Sequence, residues 1–344
     1  MSGGFSVLMV QSGFAPEDYR GAETFHARIM STVSGVDEKA MAKVRLIAYP
    51  ELTGMWLPLL GGRAPGSLVE LAVRRILGSP LQAVRSVLGG RSLSFAFLKD
   101  WKESFHAWIE PFRELARRHE CYVCPGSTFL PAFDREVATG MRRRGSRLYN
   151  TSCLINPRGK LLGFTRKVNL TRDERLLGIK PGSLSELAPY RTGLGSIGIL
   201  ICLDGFHDRA VEQLDRQGCR IALMPSANPK PWGEPPRRGA AVSQEEEWLS
   251  QGLGSLIQGR ENLCVSINPM SVSSVLGHAD QGRSNAFVNR EKPVRIARPR
   301  REIPEPYRRF TGLGAIASSH EREEAVAFEI EFDDAARETS SREE

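Results

Sequence analysis

The sequence predicts an α/β fold whose central strands run parallel, and three stretches carry that prediction. A strand over residues 5–11, a helix with Ala22, Phe25, Ile29 and Val33 at helical spacing, and a strand over 44–49 make a βαβ opening. Further along, Ile197, Ile199, Leu200 and Ile201 form an apolar run rich in β-branched residues, which reads as a strand buried on both faces. Near the end, residues 325–332 alternate apolar and polar side chains, the period of a strand with one covered face.

The chain has 344 residues, 41% of them hydrophobic and 25% charged, which suits a soluble globular domain and excludes disordered and fibrous classes. No apolar run approaches the ~18 residues a membrane span needs, and residues 5–10 are too short for a secretory segment. Six cysteines show no disulfide or zinc spacing. Cys121 and Cys124 have C-x-x-C spacing but sit in a strand pattern, so they are expected as core thiols in a reducing, cytoplasmic compartment. The net charge of +7 is concentrated at 142–147 and 295–309. Aromatics are not interleaved with those charges, so neither a nucleic-acid partner nor a membrane partner is expected.

In order, residues 55–99 read as a helical insertion punctuated by Gly and Pro. Trp101, Phe105, Trp108, Ile109, Phe112, Leu115 and Ala116 make the apolar stripe of a helix. A strand over 121–125 follows, then a loop with the Arg142–Arg144 cluster. Residues 148–155 and 161–164 flank Asn156-Pro-Arg-Gly159 as a hairpin. After Cys202 come a helix over 208–216, a strand over 221–224, a Pro-rich loop over 228–238, and a helix from 244 to 260. Strands follow at 264–267 and 284–288, and then an Arg- and Pro-rich extended arm over 290–322. One domain over 1–336 and a polar tail over 337–344 are expected.

Three strands end in reactive residues: Glu51 after Pro50, Lys167 after the hairpin, and Cys202. A lone cysteine is more often a packing residue than a nucleophile. Strand C-termini of a parallel sheet, however, share one edge, where sites gather. Here the sequence resembles the nitrilase, or carbon–nitrogen hydrolase, superfamily. The resemblance rests on Tyr49-Pro50-Glu51-Leu52, on Phe164-Thr-Arg-Lys167-Val-Asn-Leu170 and on Ile201-Cys202-Leu203-Asp204. Supporting matches, in the same order as in the family, are Gln11, Tyr149-Asn150-Thr151, Met224-Pro225-Ser226-Ala227 and Gly259-Arg260-Glu261-Asn262.

The resemblance implies a four-layer α-β-β-α sandwich, commonly paired as a homodimer or a higher homo-oligomer, with no metal or organic cofactor. It implies Cys202 as nucleophile, Glu51 as general base and Lys167 as oxyanion stabiliser, with the Leu203 N–H as a second donor. Lys167 is expected to favour the Cys202 thiolate. Glu174 matches a second glutamate that orients substrate and holds the lysine, and Tyr149 and Asn228 are further expected substrate-binding residues. The implied reaction is hydrolysis of a non-peptide amide or carbamoyl C–N bond in a small molecule through a Cys thioester. Nitrile hydrolysis and N-acyl transfer are the alternatives within the superfamily. Nitrilase branches usually carry Trp-Glu after the cysteine, and Leu203-Asp204 departs from that pattern. His207 is expected to be structural, because triad partners rarely lie so near the nucleophile.

Overall fold

The computed structural model describes residues 4–60, 97–98, 100–136, 140–237, 239–275, 277–299 and 302–333. The helices expected within 55–99 fall mostly outside these residues, as does the 337–344 tail. The strands, in chain order, begin with β1 (Phe5–Gln11), β2 (Val44–Ala48), β3 (Tyr122–Cys124), β4 (Ser127–Glu136), β5 (Gly140–Ile155) and β6 (Leu161–Arg166). They continue with β7 (Tyr190–Thr192), β8 (Gly195–Ile199), β9 (Ile221–Leu223), β10 (Val265–Asn268), β11 (Ser274–Val275) and β12 (His278–Ala279). The last are β13 (Asn285–Val288), β14 (Val294–Ala297), β15 (Leu313–Ile316) and β16 (Glu324–Phe332).

Among the described residues an eight-stranded sheet runs β14-β16-β1-β2-β3-β5-β4 with β6 on β5, and a six-stranded sheet runs β15-β13-β10-β9-β8-β7. The centres of both are parallel: β1 with β2 and β2 with β3 in the first, β8 with β9 and β9 with β10 in the second. Hairpin arms and returning strands supply the antiparallel pairs.

Side-chain alternation sorts the layers. Leu8, Val10 and Ile47 pack with the apolar stripes of α1 (Ala22–Ser34) and α2 (Trp101–Arg118). Val7, Met9, Leu46 and Ala48 leave the opposite face and join the core with Ile197, Ile199 and Leu223 of the second sheet. That core continues to α3 (Asp208–Arg216) and α4 (Gln244–Gln251) through Val211, Leu214 and Trp248. The order is therefore helix, sheet, sheet, helix: the four-layer α-β-β-α sandwich. Gly198 allows the close approach of α3, since a Cβ there would lie 2.6 Å from Leu214 Cδ1. On the other side, the fully buried Phe112 of α2 packs edge-on against Tyr49, with ring centroids 4.9 Å apart, which fixes the backbone two residues before Glu51. Truncating such an aromatic costs about 3–5 kcal/mol.

Three segments differ from the sequence-based expectation. The Arg142–Arg144 cluster lies on β5, not in a loop, because β4 pairs with it across Phe133↔Arg143 and Asp134↔Arg142. Phe133 anchors that ribbon against Trp101, Phe105 and Phe164. The helix expected over 244–260 breaks at Gly252, whose extended backbone separates α4 from a short turn, Leu253–Leu256. The segment expected as an extended arm is folded into the body: β14 pairs with β16, β15 pairs with β13, and Glu305–Tyr307 is a 3-10 turn between them.

Candidate active site

Glu51 begins the tight loop after β2. Tyr49 N–H bonds Cys124 O at 2.9 Å, carrying the β2–β3 pairing one step past the strand. The loop is then fastened on both sides: Thr53 Oγ1 donates to Pro50 O at 2.7 Å, and Ser127 accepts Leu52 N–H at its hydroxyl (3.0 Å) and Gly54 N–H at its carbonyl (3.1 Å). Gly126 makes this crossing possible. Its φ is +72°, and a Cβ would stand 1.8 Å from Pro50 O.

Lys167 follows β6 directly, and its N–H bonds Asn150 O at 2.8 Å. Cys202 follows β8, where Leu200 N–H to Leu223 O (2.9 Å) and Cys202 N–H to Pro225 O (3.0 Å) extend the parallel pairing. At Cys202 the chain turns sharply, with φ +50°, into a 3-10 segment, Cys202–Phe206. A non-glycine residue in the left-handed region carries strain, about 1–3 kcal/mol, which concentrates at functional sites. The Leu203 N–H lies in the first turn of that segment and has no acceptor within it.

The side chains converge. Lys167 Nζ donates to Glu51 Oε1 at 2.7 Å and lies 3.0 Å from Glu174 Oε2. Asn150 Nδ2 lies 2.8 Å from Glu51 Oε1 and 2.8 Å from Glu174 Oε1, bridging the two carboxylates. Glu174 is held by a reciprocal cap with Thr171: Thr171 N–H donates to its carboxylate at 2.8 Å and its own N–H bonds Thr171 Oγ1 at 3.2 Å. Glu51 Oε2 accepts the Ala227 N–H at 3.2 Å, and Cys202 Sγ lies 3.7 Å from Ala227 O. Glu51 and Cys202 thus meet at the two polar groups of one residue, Ala227. Glu51, Lys167, Glu174 and Cys202 are all buried.

Burial raises the Glu51 carboxyl above the usual carboxylate range, and the charge of Glu174 adds to this while Lys167 opposes it. Burial alone disfavours the Lys167 ammonium, but the charges of Glu51, Cys202 and Glu174 outweigh it, so its pKa is raised. The Cys202 thiol is pushed well above its ordinary value by burial and by Glu51, against the pull of Lys167. Lys167 thus acts on Cys202 in the direction expected, favouring the thiolate, while burial and Glu51 act against it.

The remaining expected residues are placed less centrally. The Tyr149 ring lies 4.5 Å beneath the Arg166 guanidinium, on the strand face opposite Asn150. Asn228 Nδ2 is committed to the carbonyls of Lys230 (3.0 Å) and Gln281 (3.1 Å), which fixes the head of the Pro-rich loop beside Ala227. His207 is exposed and stands at the N-terminus of α3. Two further residues shape the site: Asn150, which the sequence offers only within a supporting motif, and Asp204, which it offers only within the cysteine motif. Asp204, fully buried, accepts the N–H groups of Val168 (3.1 Å), Asn169 (2.6 Å) and Ile201 (3.2 Å) and the side-chain amide of Asn169 (2.9 Å). It ties the turn after Lys167 to the turn that presents Cys202.

The sequence model of the carbon–nitrogen hydrolase family matches residues 19–242. No curated protein matches the chain in sequence. Among solved structures, a carbon–nitrogen hydrolase from Helicobacter pylori G27 is similar at 16% identity and a TM-score of 0.57, over 95% of this chain and 89% of that one. Nit3 of Saccharomyces cerevisiae, a member of branch 10 of the nitrilase superfamily, is similar at 17% identity and a TM-score of 0.53, over 98% and 93%. A mutant of the amidase from Nesterenkonia sp. AN1, carrying the acetamide moiety of fluoroacetamide on its active-site cysteine, is similar at 15% identity and a TM-score of 0.52, over 98% and 95%. At these identities the structures speak for the fold; with the family match across more than half of the sequence, the chain belongs to the carbon–nitrogen hydrolase family of the nitrilase superfamily.

Proposed function

We propose that this protein hydrolyses a non-peptide amide or carbamoyl C–N bond of a small molecule through a thioester on Cys202. The observation that carries the reading is the buried contact set in which Glu51 meets Lys167 Nζ at 2.7 Å and the Ala227 N–H at 3.2 Å, while the Cys202 sulfur lies 3.7 Å from the carbonyl of the same Ala227.

In the first half-reaction Glu51 takes the thiol proton as Cys202 sulfur bonds to the carbonyl carbon. The carbonyl oxygen becomes an oxyanion facing the Lys167 ammonium and the Leu203 N–H. Loss of one such donor typically costs about 10² to 10³ in rate. The intermediate collapses, the C–N bond breaks, and Glu51 passes its proton to the departing nitrogen. In the second half Glu51 deprotonates a water that adds to the thioester carbon. The C–S bond then breaks, and the proton on Glu51 returns to the sulfur. Glu174 and Asn150 hold Lys167 and Glu51 in register throughout. A protonated resting thiol fits this scheme, because the proton leaves only as the S–C bond forms.

The test is intact-protein mass spectrometry with a panel of short linear amides and carbamoyl amines, with ammonia or amine release measured in parallel. The expected result is turnover with a transient acyl adduct that hydroxylamine removes and Cys202→Ala abolishes. Turnover that survives Cys202→Ala overturns the mechanism.

A further inference from the structure

The Ala227 peptide serves two groups of the site at once: its N–H meets Glu51 Oε2 at 3.2 Å and its carbonyl lies 3.7 Å from Cys202 Sγ. What holds this peptide in place lies outside the groups just assigned. It opens into the loop 228–237, where Pro229, Pro231, Pro235 and Pro236 supply no N–H. Side-chain bonds fasten the loop instead. Asn228 Nδ2 donates to Gln281 O at 3.1 Å, and Gln281 N–H returns a bond to Asn228 O at 2.9 Å. Gln281 Oε1 accepts Trp232 N–H at 2.8 Å. The buried Trp232 is then clasped twice by Glu245, in the first turn of α4. Its indole N–H donates to Glu245 Oε1 at 2.9 Å, and its carbonyl accepts Glu245 N–H at 3.0 Å.

Glu245 is itself fixed from two further segments. Tyr307 OH donates to its Oε1 at 2.9 Å, and Arg283 Nε stands 3.1 Å from the same oxygen. Arg283 is anchored by Nη1 on Ala317 O at 3.1 Å and lies over the Tyr307 ring, 5.4 Å from its centroid. Polar groups from three parts of the chain thus meet at one carboxylate oxygen. The same helix also touches the turn of the nucleophile. Trp248, on the next turn of α4, packs on Trp232 with ring centroids 6.0 Å apart and edge-on against Phe206 at 4.9 Å. Phe206 closes the 3-10 segment that Cys202 begins. The loop that follows Ala227 and the turn that presents Cys202 are therefore both referenced to α4.

We propose that Glu245 is a positioning residue for the reaction at Cys202: by holding Trp232 it fixes the Ala227 peptide against both the general base and the thiol. The inference rests on the reading of Cys202 as nucleophile and Glu51 as its base, whatever acyl group they handle. Small shifts of that peptide matter, since a misplacement of about 1 Å can cost about 10² in rate. A weakened Ala227 N–H bond also takes a hydrogen bond from the Glu51 carboxylate, which favours the protonated form. Glu51 also faces Lys167, Glu174, Cys202 and Asn150, and changes at Glu245 or Trp232 leave all four in place.

The test compares Trp232→Phe, which keeps an aromatic ring and removes the indole donor, with Glu245→Ala, Glu245→Gln and the double variant Trp232→Phe/Glu245→Ala, each read per folded molecule. With a short linear amide, Trp232→Phe and Glu245→Ala are each expected to lower kcat at least about fivefold while KM stays within about twofold. The acid limb of kcat/KM is expected to move up by about half a pH unit or more. Glu245→Gln keeps an acceptor for the indole and is expected to regain most of the loss. The double variant is expected to be no slower than the slower single one, because both changes remove one link. Wild-type kcat and acid limb in Trp232→Phe overturn the proposal, whatever the loss of stability, and so do additive losses in the double variant. Should no amide turn over in the wild type, the hydrolysis reading fails by itself. Alkylation of Cys202 by iodoacetamide, followed by intact mass against a Cys202→Ala background, then still decides this one. Alkylation at least about fivefold slower in both single variants supports it; equal rates, or a wild-type Cys202 no faster than the background thiols, overturn it.

Discussion

Asp204 Oδ1 accepts the backbone N–H of Asn169 at 2.6 Å, so a single buried carboxylate spans from the turn after Lys167 to the turn bearing Cys202. Four donors converge on it, those of Val168, Asn169 (backbone and side chain) and Ile201. An asparagine has one oxygen and brings its own N–H groups toward these donors. Asp204→Asn is expected to lose about 2–3 kcal/mol of stability, the scale of a charged hydrogen bond lost in the interior, measured by urea unfolding. It is also expected to lower kcat more than it raises KM, because the lysine and the thiol drift apart by tenths of an ångström. A variant with wild-type kcat would show that the two turns hold their spacing unaided.

Asn150 makes a separate prediction. Its side-chain amide donates to both Glu51 and Glu174, 2.8 Å each, and its backbone carbonyl accepts the backbone N–H of Lys167. Asn150→Asp replaces a shared donor with a third carboxylate among two. Like charges at this distance raise each other's pKa, so the acid limb of the rate profile is expected to move to higher pH. Asn150→Ala is expected to slow turnover by about 10- to 100-fold, less than the roughly 10² to 10⁴ that a general base itself supplies, because Glu51 stays but is less well held. A pH profile of both variants separates the charge effect from the loss of the bond.

These two residues mark where the sequence stopped being informative. Apolar alternation is a local signal, so the assignments of Val7 and Met9 to one core and Leu8 and Val10 to the other follow from period two alone. Motif residues at strand ends were legible for a similar reason: a β-branched run that stops at Cys202 advertises an edge. A buried polar residue gives no such signal, because its partners are remote. Glu51 lies 99 residues from Asn150, and Asn169 lies 35 residues from Asp204. The β4–β5 ribbon was hidden for another reason. Pro131 and the run of exposed arginines interrupt the apolar pattern, and only pairing between the two strands makes them a hairpin. The segment after Lys292 reads as an arm because its arginines and prolines mask two four-residue strands that depend on β16 and β13 for their partners.

The electrostatics of the site set the shape of the pH dependence. Glu51 must be ionised to accept the thiol proton, and its pKa is raised by burial and by Glu174. As pH falls through that raised value the base is protonated and kcat/KM falls, so the acid limb is expected above the usual carboxylate range near 4. Lys167 is shifted upward by its carboxylate neighbours, so its deprotonation is not expected to limit the alkaline side within the working range. The apparent values belong to the coupled set and not to one residue. A profile of kcat/KM from pH 4 to 10 on a single amide checks both limbs; an acid limb at an ordinary carboxylate pKa would contradict the burial argument.

Lys167 itself is the harshest single loss. It is the cation that both Glu51 and Glu174 touch, at 2.7 and 3.0 Å, with 1% side-chain exposure. Lys167→Met keeps the stem and removes the charge, leaving two buried carboxylates facing each other. Removing one partner of a buried pair costs about 3–5 kcal/mol, and part of that cost is expected to be relieved by protonation of one glutamate. Turnover is expected to fall by at least about 10³, and the variant is expected to gain stability as pH falls toward 5, where the uncompensated carboxylates take up protons. Thermal melts at pH 5 and pH 8 read this sign directly, and a variant equally stable at both values would mean that Glu51 and Glu174 do not depend on the lysine.

Gly126 is far from the chemistry in sequence but decides where Glu51 sits. Its φ of +72° is a conformation that side-chain-bearing residues adopt at a cost, and a Cβ would meet Pro50 O at 1.8 Å. No rotamer relieves a contact between a Cβ and a backbone carbonyl, so Gly126→Ala must displace either the β3–β4 connection or the Pro50–Glu51 peptide. Movement of the first breaks the Ser127 clamp on Leu52 and Gly54, at 3.0 and 3.1 Å. Movement of the second carries the general base away from the thiol. Gly126→Ala is therefore expected to cost several kcal/mol, among the large values reserved for special backbone positions, and to show a kcat loss of about 10² or more in whatever fraction remains folded. Gly145→Ala is the matched control: its φ is +70°, but nothing lies within 4 Å of the added Cβ, so only the backbone term remains. Comparing the two by urea unfolding and by amide turnover separates the intrinsic strain of a left-handed residue from the steric block beside Glu51; equal effects would place the cost of Gly126→Ala in its backbone conformation alone.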